Sequence, residues 1–325
     1  MSGRVAVTGA NGFIGRNVVL HLRNAGWAVR AIVRPDGRYA VPEGVEMVAT
    51  QFITADLVRA AAGAEVIVHA AGRTRGATMR QFQAANVDVT RQVVEAAVEL
   101  GAKLVHVSSL AVAGPGTPER PRLEDDPPRP VTAYGRSKLE AEEVVKTSRR
   151  LHWTIVRPAL VYGPFDRSTL PLFKLAQRGI VATTGVSGDH AYTFAHVDDV
   201  ARGIEAAVTA VAAEGETFSL GHPRNATVGT LTDALETALG RSCRRVRIPY
   251  AVLLAAALVG DAAMLCGRPL AIDRARLAEL GAEGWVCSVE KARARLGFSA
   301  RIDLREGFAS TAAWYARHGW LAKLP

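Results

Sequence analysis

The hydrophobic positions of this chain follow two alternating periods over its first half. Short apolar runs typical of buried strands occur near 4–8, 27–35, 44–49, 64–72 and 103–109. Segments with apolar residues at helical spacing lie between them, for example 13–24, with Ile14, Val18 and Leu22, and 86–101. Strands that alternate with helices predict an α/β fold with a doubly wound parallel sheet.

The pattern changes beyond the middle of the chain. A run at 152–164 predicts a strand that completes the sheet, and the acidic, proline-rich stretch 114–130 predicts a surface loop. Later segments mix helices with shorter strands. We therefore expect a first domain over 1–165, joined by part of 190–220, and a smaller, discontinuous region mainly over 166–325.

One apolar run, 250–266, permits several interpretations. It is interrupted by Gly260 and Asp261 and is too short to span a bilayer. We expect a buried or lid helix that lines part of a ligand pocket, and a helix lying in a membrane interface stays open as the alternative. A membrane partner is therefore not expected for this protein.

Composition and charge exclude several classes of protein. A hydrophobic content of 49% with 22% charged residues describes an ordinary globular chain. The net charge of +9 comes from scattered arginines without interleaved aromatics, so a nucleic-acid partner is not expected. The three cysteines have no metal-site spacing, which leaves metal binding unsupported and favours a reducing compartment. The first residues lead directly into a strand rather than a signal peptide, so a cytoplasmic location is expected.

A glycine-rich turn follows the first predicted strand. Gly9, Gly12 and Gly15 are spaced three residues apart at the junction of strand and helix. Their missing side chains let backbone N–H groups and the helix N-terminus approach a pyrophosphate. This turn predicts a dinucleotide site, which makes 1–165 the dinucleotide-binding domain and 166–325 mainly the substrate-binding region.

The end of the second strand indicates which dinucleotide is bound. An acidic residue there bonds the ribose of NAD, whereas an arginine can pair with the 2′-phosphate of NADP. Here Arg34 follows Val33, with Arg38 nearby and Asp36 as the competing acid. NADP is therefore expected, with NAD as the alternative. Ala70 and Ala71, small residues after the fourth strand, let a cofactor pass close to the strand end.

Three further residues suggest acid–base chemistry. Ser109 ends the fifth apolar run, Tyr134 comes 25 residues later, and Lys138 stands four residues beyond Tyr134 on one helix face. A nearby ammonium favours the phenolate, and a serine hydroxyl can hydrogen-bond the oxygen on which the tyrosine acts. The three side chains are therefore candidates to surround one carbonyl or alcohol.

Seven motifs in order resemble the extended short-chain dehydrogenase/reductase family, which includes the NAD-dependent epimerases and dehydratases. They are TGANGFIG at 8–15, HAAG at 69–72, NVDVT at 86–90, SSLAVAG at 108–114, YGRSK at 134–138, RPALVYGP at 157–164 and HVDDVA at 196–201. The resemblance implies a Rossmann domain and hydride transfer at a nicotinamide. The pattern is most similar to dihydroflavonol reductases and 3β-hydroxysteroid dehydrogenases.

The resemblance also implies individual roles. Ser109 polarises the substrate oxygen, Tyr134 exchanges its proton, Lys138 lowers the tyrosine pKa and bonds the nicotinamide ribose, and Asn86 supports the site. The implied cofactor contacts are Gly9, Asn11, Gly12, Phe13, Ile14, Gly15, Ala70, Ala71, Lys138 and Pro158. With Arg34, these form the expected cofactor site.

Two departures from the resembling epimerases bear on the substrate. Those enzymes carry an asparagine where this chain has Leu160 and an arginine where it has Tyr192, both contacts to a substrate diphosphate. The sequence therefore predicts an NADP(H)-dependent oxidoreductase for a small, fairly apolar carbonyl or secondary alcohol. A nucleotide-sugar epimerase or reductase is the alternative, and a dinucleotide-sensing protein without catalysis is a third.

Assembly is also implied by the resemblance. The helices expected over 86–100 and 134–149 carry apolar residues beyond one buried face, at Val93, Val94, Ala97, Leu139 and Val144. Such helices in the resembling family often pair about a two-fold axis. A homodimer is expected.

Overall fold

The computed structural model describes residues 3–36, 41–184, 190–268, 270 and 272–324, and Arg38 lies outside them. In chain order the described strands are β1 (Arg4–Thr8), β2 (Ala28–Val33), β3 (Glu46–Ala49), β4 (Val66–His69), β5 (Lys103–Val107), β6 (Trp153–Pro158), β7 (Leu160–Tyr162), β8 (Ile180–Thr184), β9 (Ala191–Tyr192), β10 (Phe194–His196), β11 (Glu216–Leu220), β12 (Arg244–Ile248) and β13 (Gly284–Trp285).

The described helices connect and cover these strands. They are α1 (Phe13–Asn24), α2 (Thr54–Ala60), α3 (Met79–Phe82), α4 (Val89–Leu100), α5 (Ala133–Thr147), α6 (Leu170–Ala176), α7 (Val197–Thr209), α8 (Val228–Leu239), α9 (Tyr250–Leu265), α10 (Arg274–Leu280), α11 (Glu290–Leu296) and α12 (Leu304–Arg317). Short 3-10 turns occur at Leu110–Val112 and Val211–Ala213.

The central sheet of the described chain has seven strands in the order β11-β6-β5-β4-β1-β2-β3, and each neighbouring pair is parallel. Its inner strands are apolar on both faces because helices cover both sides: the core on one side includes residues of α1 and α7, and that on the other includes residues of α2, α4 and α5. The expected doubly wound α/β fold is confirmed, and parallel pairing brings the carboxyl ends of all seven strands to one edge.

The run 152–164 forms two strands, so the prediction of a single sheet-completing strand is wrong. The N–H of Ala159 donates to the carbonyl of Leu220 (2.9 Å), whereas the next N–H, of Leu160, donates to Thr193 (3.2 Å). The chain thus leaves the main sheet after Pro158, which has no N–H to donate. β7 pairs with β10, and β11 takes the edge position beside β6.

Two other local predictions need correction. The helix expected to begin at Asn86 begins at Met79, where Thr78 caps α3, and continues through a π-helical turn at Gln83–Asp88 into α4. The stretch 114–130 is irregular, as expected, but not simply a surface loop. Arg122 donates its N–H to Val286, and Glu124 is buried and accepts from the N–H of Ser219.

Smaller units pack beside the sheet's carboxyl edge. One core joins α6, α8 and α12 around Phe173, Leu235 and Phe308. β8 pairs with β12, β9 pairs with β13, and α9 packs on α10 through Leu253, Ala257 and Leu277. These elements form the smaller C-terminal region that the sequence predicted.

The apolar residues invoked for a dimer are mostly used within the subunit. Val93, Val94 and Ala97 of α4 are buried in the core beneath the sheet, and Leu139 and Val144 of α5 are half-buried. The expectation that these helices carry more apolar residues than one buried face requires is therefore wrong for α4. A homodimer stays a prediction, as does the cytoplasmic location.

Candidate active site

The turn between β1 and α1 has the shape that a phosphate cradle requires. Gly9 has φ +69°, and a Cβ atom there would lie 2.5 Å from the backbone nitrogen of Ala71. A Cβ at Gly15 would lie 2.2 Å from the carbonyl oxygen of Gly9. Both positions therefore require glycine. Gly12 is the N-cap of α1, and the first turn of a helix presents N–H groups that lack intrahelical partners.

The other expected cofactor contacts lie at the same edge of the sheet. Asn11 is exposed in the turn, and Phe13 and Ile14 occupy the first turn of α1. Ala70 donates its N–H to Thr8 at the end of the adjacent strand (3.2 Å). Pro158 is buried at the end of β6, two strands from β4. This arrangement fits the diphosphate of a dinucleotide passing over the ends of β1 and β4.

Arg34 lies directly after β2, the strand beside β1. Its side chain is exposed and stands 3.9 Å from the carboxylate of Asp36, measured from Nε to Oδ1. An exposed pair at this distance contributes little to stability, so the guanidinium can exchange Asp36 for a stronger anion. Arg34 therefore occupies the position from which a cofactor ribose or its 2′-phosphate is read.

Ser109 and Tyr134 are brought together by the ends of β5 and α5. Ser109 caps the 3-10 turn Leu110–Val112 by accepting the N–H of Ala111 (3.2 Å). Thr132 caps α5 by accepting the N–H of Gly135 (3.1 Å), which places Tyr134 in the first turn. The side chains of Ser109 and Tyr134 lie close together, and the Ser109 hydroxyl lowers the pKa of Tyr134 against the larger effect of burial. They can therefore both contact one oxygen atom of a substrate.

Burial raises the pKa of Tyr134; the Ser109 hydrogen bond opposes this effect and the charge of Glu279 adds to it. The lowered tyrosine pKa expected from the sequence is not what the structure shows. Tyr134 is consequently held as a neutral phenol at neutral pH. That form is a proton donor, which suits the protonation of an oxygen that gains negative charge.

Lys138 lies beneath the site and is only 4% exposed. Its Nζ donates to the carbonyl oxygen of Val107 (2.8 Å) and lies 3.4 Å from His106 Nε2. Burial lowers the pKa of Lys138 to about 8, although the charge of Glu142 raises it. The ammonium has three N–H donors, so one remains after these two partners to contact a ligand.

Two buried histidines beside Lys138 were missed by the sequence reasoning. His69 and His106 are register partners on β4 and β5, with ring centroids 5.3 Å apart. Burial, with the charge of Lys138, lowers the pKa of His69 to about 3 and that of His106 well below its ordinary value. His106 is therefore neutral and can accept a hydrogen bond from Lys138. The available signal was a histidine near the end of each of two consecutive strands.

Asn86 holds two elements of the site together without reaching Tyr134 or Lys138 by a hydrogen bond. Its amide nitrogen donates to Ser137 Oγ (2.8 Å) and to the carbonyl of Arg73 (3.0 Å). Its side-chain oxygen accepts the N–H of Arg73 (2.7 Å). Asn86 thus links the segment after β4 to α5. It is a positioning residue rather than a catalytic one.

A buried ion pair supports the strand that precedes Ser109. Glu142, on the same face of α5 as Lys138, accepts from Arg157 Nε (2.8 Å) and Nη2 (2.7 Å) and from Ser108 Oγ (2.6 Å). Burial raises the pKa of Glu142, but the hydrogen bonds and charge of Arg157 lower it below its ordinary value. Ser108 therefore anchors the strand end, while its neighbour Ser109 faces the site.

A hydrophobic cluster lies next to Ser109 in the fold. The cluster that we call the apolar wall consists of Leu110, Ala113, Ala159, Trp285 and Cys287, with Leu160, Tyr192 and Ala282 packed against it. It begins at the residue that follows Ser109. Leu160 and Tyr192, the positions where the resembling epimerases contact a diphosphate, are thus part of one hydrophobic cluster. Tyr192 is half-buried, and burial raises its pKa.

Across the described ranges, no group of three or more histidine, cysteine or acidic side chains is placed to hold a metal ion. Within the same residues, no helix has both the length and the apolar character needed to cross a membrane.

The Lys138 pKa predicts how cofactor binding depends on pH. The ammonium is charged below about pH 8 and loses its proton above it. Affinity for NADPH should therefore fall between about pH 7 and about pH 9, by up to about 1.4 kcal/mol or tenfold, the limit for one group of this pKa whose charged form makes the hydrogen bond. Calorimetric titration of the wild type across this range measures the change. Lys138→Met should bind weakly and without this dependence; an equal pH dependence in that variant would assign the titration to another group.

Comparison with known proteins gives the same picture. The model of the NAD dependent epimerase/dehydratase family matches residues 5–221. A ceramide reductase from Caulobacter vibrioides is 32% identical over 329 residues, covering 99% of this chain and 97% of the relative. A 4-hydroxy-2-methyl-3-oxo-4-farnesyl-3,4-dihydroquinoline-1-oxide ketoreductase from Stigmatella aurantiaca is 31% identical and covers 94% of each chain.

Solved structures share the fold over nearly the whole chain. The structure of gox2253 has a TM-score of 0.81 and 26% identity, covering 98% of this chain and 100% of that one. MoeE5 in complex with UDP-glucuronic acid and NAD has a TM-score of 0.77 and 25% identity, covering 97% and 100%. Together with the glycine turn, Ser109, Tyr134 and Lys138, these matches show that the chain belongs to the NAD dependent epimerase/dehydratase family, the extended short-chain dehydrogenase/reductases, as an NAD(P)-dependent oxidoreductase.

Proposed function

We propose that this protein is an NADP(H)-dependent oxidoreductase that reduces the carbonyl, or oxidises the secondary alcohol, of a small, fairly apolar molecule. The observation that carries this proposal is the close approach of the Ser109 and Tyr134 side chains, next to the apolar wall that begins at Leu110. Residues 1–165, with β11, are the dinucleotide-binding part in this proposal. Residues 166–325 mainly enclose the substrate.

Each side chain of the site has a defined task in this reaction. The bound nicotinamide supplies or accepts the hydride. Ser109 donates a hydrogen bond to the substrate oxygen, and Tyr134 transfers its phenolic proton to the same oxygen during reduction. Lys138 directs an N–H donor at the cofactor ribose, while Val107 and His106 hold its other donors. Asn86 keeps the segment after β4 in register with α5.

The preference for NADP rests on Arg34 at the end of β2. NADPH should bind more tightly than NADH, and Arg34→Ala should narrow the difference by roughly 1–3 kcal/mol through loss of a charge-assisted contact. Dissociation constants for both cofactors, measured by fluorescence titration, test this. Arg59→Ala removes an exposed arginine on α2 and serves as the control. Equal affinities for NADPH and NADH in the wild type would contradict the preference.

A nucleotide-sugar epimerase or reductase is the second candidate. MoeE5, whose structure contains UDP-glucuronic acid and NAD, has the same fold as this chain. Burying a diphosphate without paired cations costs several kcal/mol per charge. Leu160 and Tyr192 supply no cation, and Arg167, which could substitute, lies over the ring of Trp320 at 5.1 Å. The relatives named for ceramide and a farnesylated quinoline instead act on lipophilic molecules.

Calorimetric titration of the NADPH-loaded protein separates the two candidates. We expect UDP- and GDP-sugars to bind no more tightly than about 1 mM and an apolar ketone to bind near about 1 μM, a difference of roughly 4 kcal/mol. Apolar surface buried against the wall contributes about 25 cal/mol per Å² to the ketone's affinity. Micromolar affinity for a nucleotide-sugar would replace the reductase proposal with the epimerase. The Ser109–Tyr134 pair argues against a sensor without catalysis.

A further inference from the structure

Helix α9 exposes an apolar surface that the rest of the described chain does not cover. Its inward side packs on the segment before α10 and on α10 itself; a Cβ at Gly260 would lie 1.9 Å from the carbonyl oxygen of Ile272. Its outward side carries exposed large apolar residues; the exposed fraction is 61% for Val259 and 73% for Leu265. The outward large residues are Tyr250, Val252, Leu254, Leu258, Val259 and Leu265.

These side chains form one continuous surface. Tyr250, Leu254 and Leu258 follow at four-residue intervals along one line of the helix, and Val252 and Val259 lie seven residues apart along another. Exposed alanines fill the space between the two lines. The single charged residue of α9, Asp261, is hydrogen-bonded to Arg274. A helix that is apolar all round ordinarily lies in a core or in lipid.

Exposed arginines precede and follow α9 in the chain. β12 ends two residues before α9 and carries exposed arginines at Arg244 and Arg245. Arg268 follows the helix, is exposed, and donates its N–H to the carbonyl of Ala263 (2.8 Å). Arginines on either side of an apolar helix in the chain can complement the anionic headgroups of a bilayer.

We propose that the outward face of α9, with Arg244, Arg245 and Arg268, docks this protein on the surface of a bilayer that contains anionic lipid. Leu, Val and Ala dominate the face, whereas the energetic centres of protein interfaces favour Trp, Tyr and Arg. The protein body takes the place of the polar side that an interfacial helix normally has. At 16 residues, α9 lies in the interface and does not span the membrane.

The position of α9 gives this docking a consequence for the active site. α10, on which α9 packs, carries Glu279, whose charge raises the pKa of Tyr134. The preceding segment contacts the loop after β4, because Arg75 Nη1 donates to the carbonyl of Leu270 (3.0 Å). A bilayer held by the outward face of α9 thus lies one helix away from α10, the helix that carries Glu279. The idea that the bilayer delivers a lipophilic substrate rests on the proposed function. The docking of α9 on the bilayer does not depend on that function.

Flotation of the full-length protein with vesicles tests the docking without any substrate. Wild-type protein should float with vesicles of phosphatidylcholine and phosphatidylglycerol and bind pure phosphatidylcholine less. Leu258→Glu with Val259→Glu, and separately Leu265→Glu, should lower the bound fraction at least about tenfold, because a carboxylate replaces buried apolar area. Arg244→Ser with Arg245→Ser should remove the preference for phosphatidylglycerol and the sensitivity to salt.

Val211→Glu is the matched control, since Val211 is 88% exposed and belongs to the 3-10 turn Val211–Ala213, not to α9. It should bind vesicles like the wild type, and all variants should retain NADPH binding and cooperative unfolding. Wild-type protein that fails to float, or glutamate variants of α9 that float equally, would overturn the proposal. A dimer that the α9 variants convert to monomer, without vesicle binding, would instead assign the face to a second copy. Because no turnover is measured, none of these results depends on the reductase proposal.

Discussion

Replacing Tyr134 with phenylalanine should lower kcat for carbonyl reduction by about 10²–10⁴-fold, the usual contribution of a positioned acid or base. The variant keeps the ring that packs near Phe82, with centroids 6.3 Å apart, and loses only the hydroxyl, whose pKa Ser109 lowers. NADPH should therefore bind with an unchanged dissociation constant. Steady-state kinetics with a saturating ketone and fluorescence titration of NADPH measure the two quantities separately.

Tyr250→Phe provides the matched control for this experiment. It removes the same hydroxyl from a tyrosine that lies exposed on α9, outside the site. Its kcat should match the wild type. A Tyr134→Phe enzyme that keeps half of the wild-type kcat would remove Tyr134 from the role of proton donor.

Replacing Glu142 with glutamine should lower the free energy of unfolding by about 3–5 kcal/mol at pH 7, the usual cost of breaking a buried ion pair. Arg157, which is itself almost fully buried, would lose the carboxylate that accepts two of its hydrogen bonds. Urea unfolding of wild type and variant measures the difference. Because Ser108 also donates to Glu142, part of the loss should appear as lower activity through the neighbouring Ser109.

The pH dependence of this difference has a definite sign. The folded pKa of Glu142 lies below its ordinary value, so its stabilisation is present above the unfolded pKa, about 4.3, and is lost as pH falls through the folded value. The gap between wild type and Glu142→Gln should therefore narrow in acid. Glu143→Gln, an exposed neighbour on α5, should change stability by less than about 0.5 kcal/mol. A similarly small effect at Glu142 would show that the pair does not hold the strand end.

The sequence predicted those parts of the site that depend on residues close together in the chain. The turn at Gly9, Gly12 and Gly15 joins adjacent elements, and the positive φ of Gly9 and the close approach of Gly15 to the Gly9 carbonyl arise within the turn. Tyr134 and Lys138 share a helix face by spacing alone. Ser109 follows an apolar run whose strand type the pattern indicated. These features depend little on contacts between distant segments.

Other features depend on packing that no single segment specifies. His69 and His106 meet because β4 and β5 pair in one register, and that pairing also sets the environment of Lys138. The break between β6 and β7 depends on the hydrogen bonds that Ala159 and Leu160 donate to the carbonyls of Leu220 and Thr193. Whether α9 is covered or exposed likewise depends on which of its sides meets α10. An apolar sequence by itself cannot distinguish these outcomes.

Transfer of deuterium from 4-deuterated NADPH to an apolar ketone, followed by mass spectrometry, tests the proposed reaction most directly. Ketones, flavonoids and steroids serve as the panel, with UDP- and GDP-sugars alongside. We predict that an apolar carbonyl compound gains deuterium at its new carbinol carbon, with equal amounts of NADPH oxidised and alcohol formed. Interconversion of a nucleotide-sugar without net NADPH oxidation, with no apolar carbonyl reduced, would contradict the proposal.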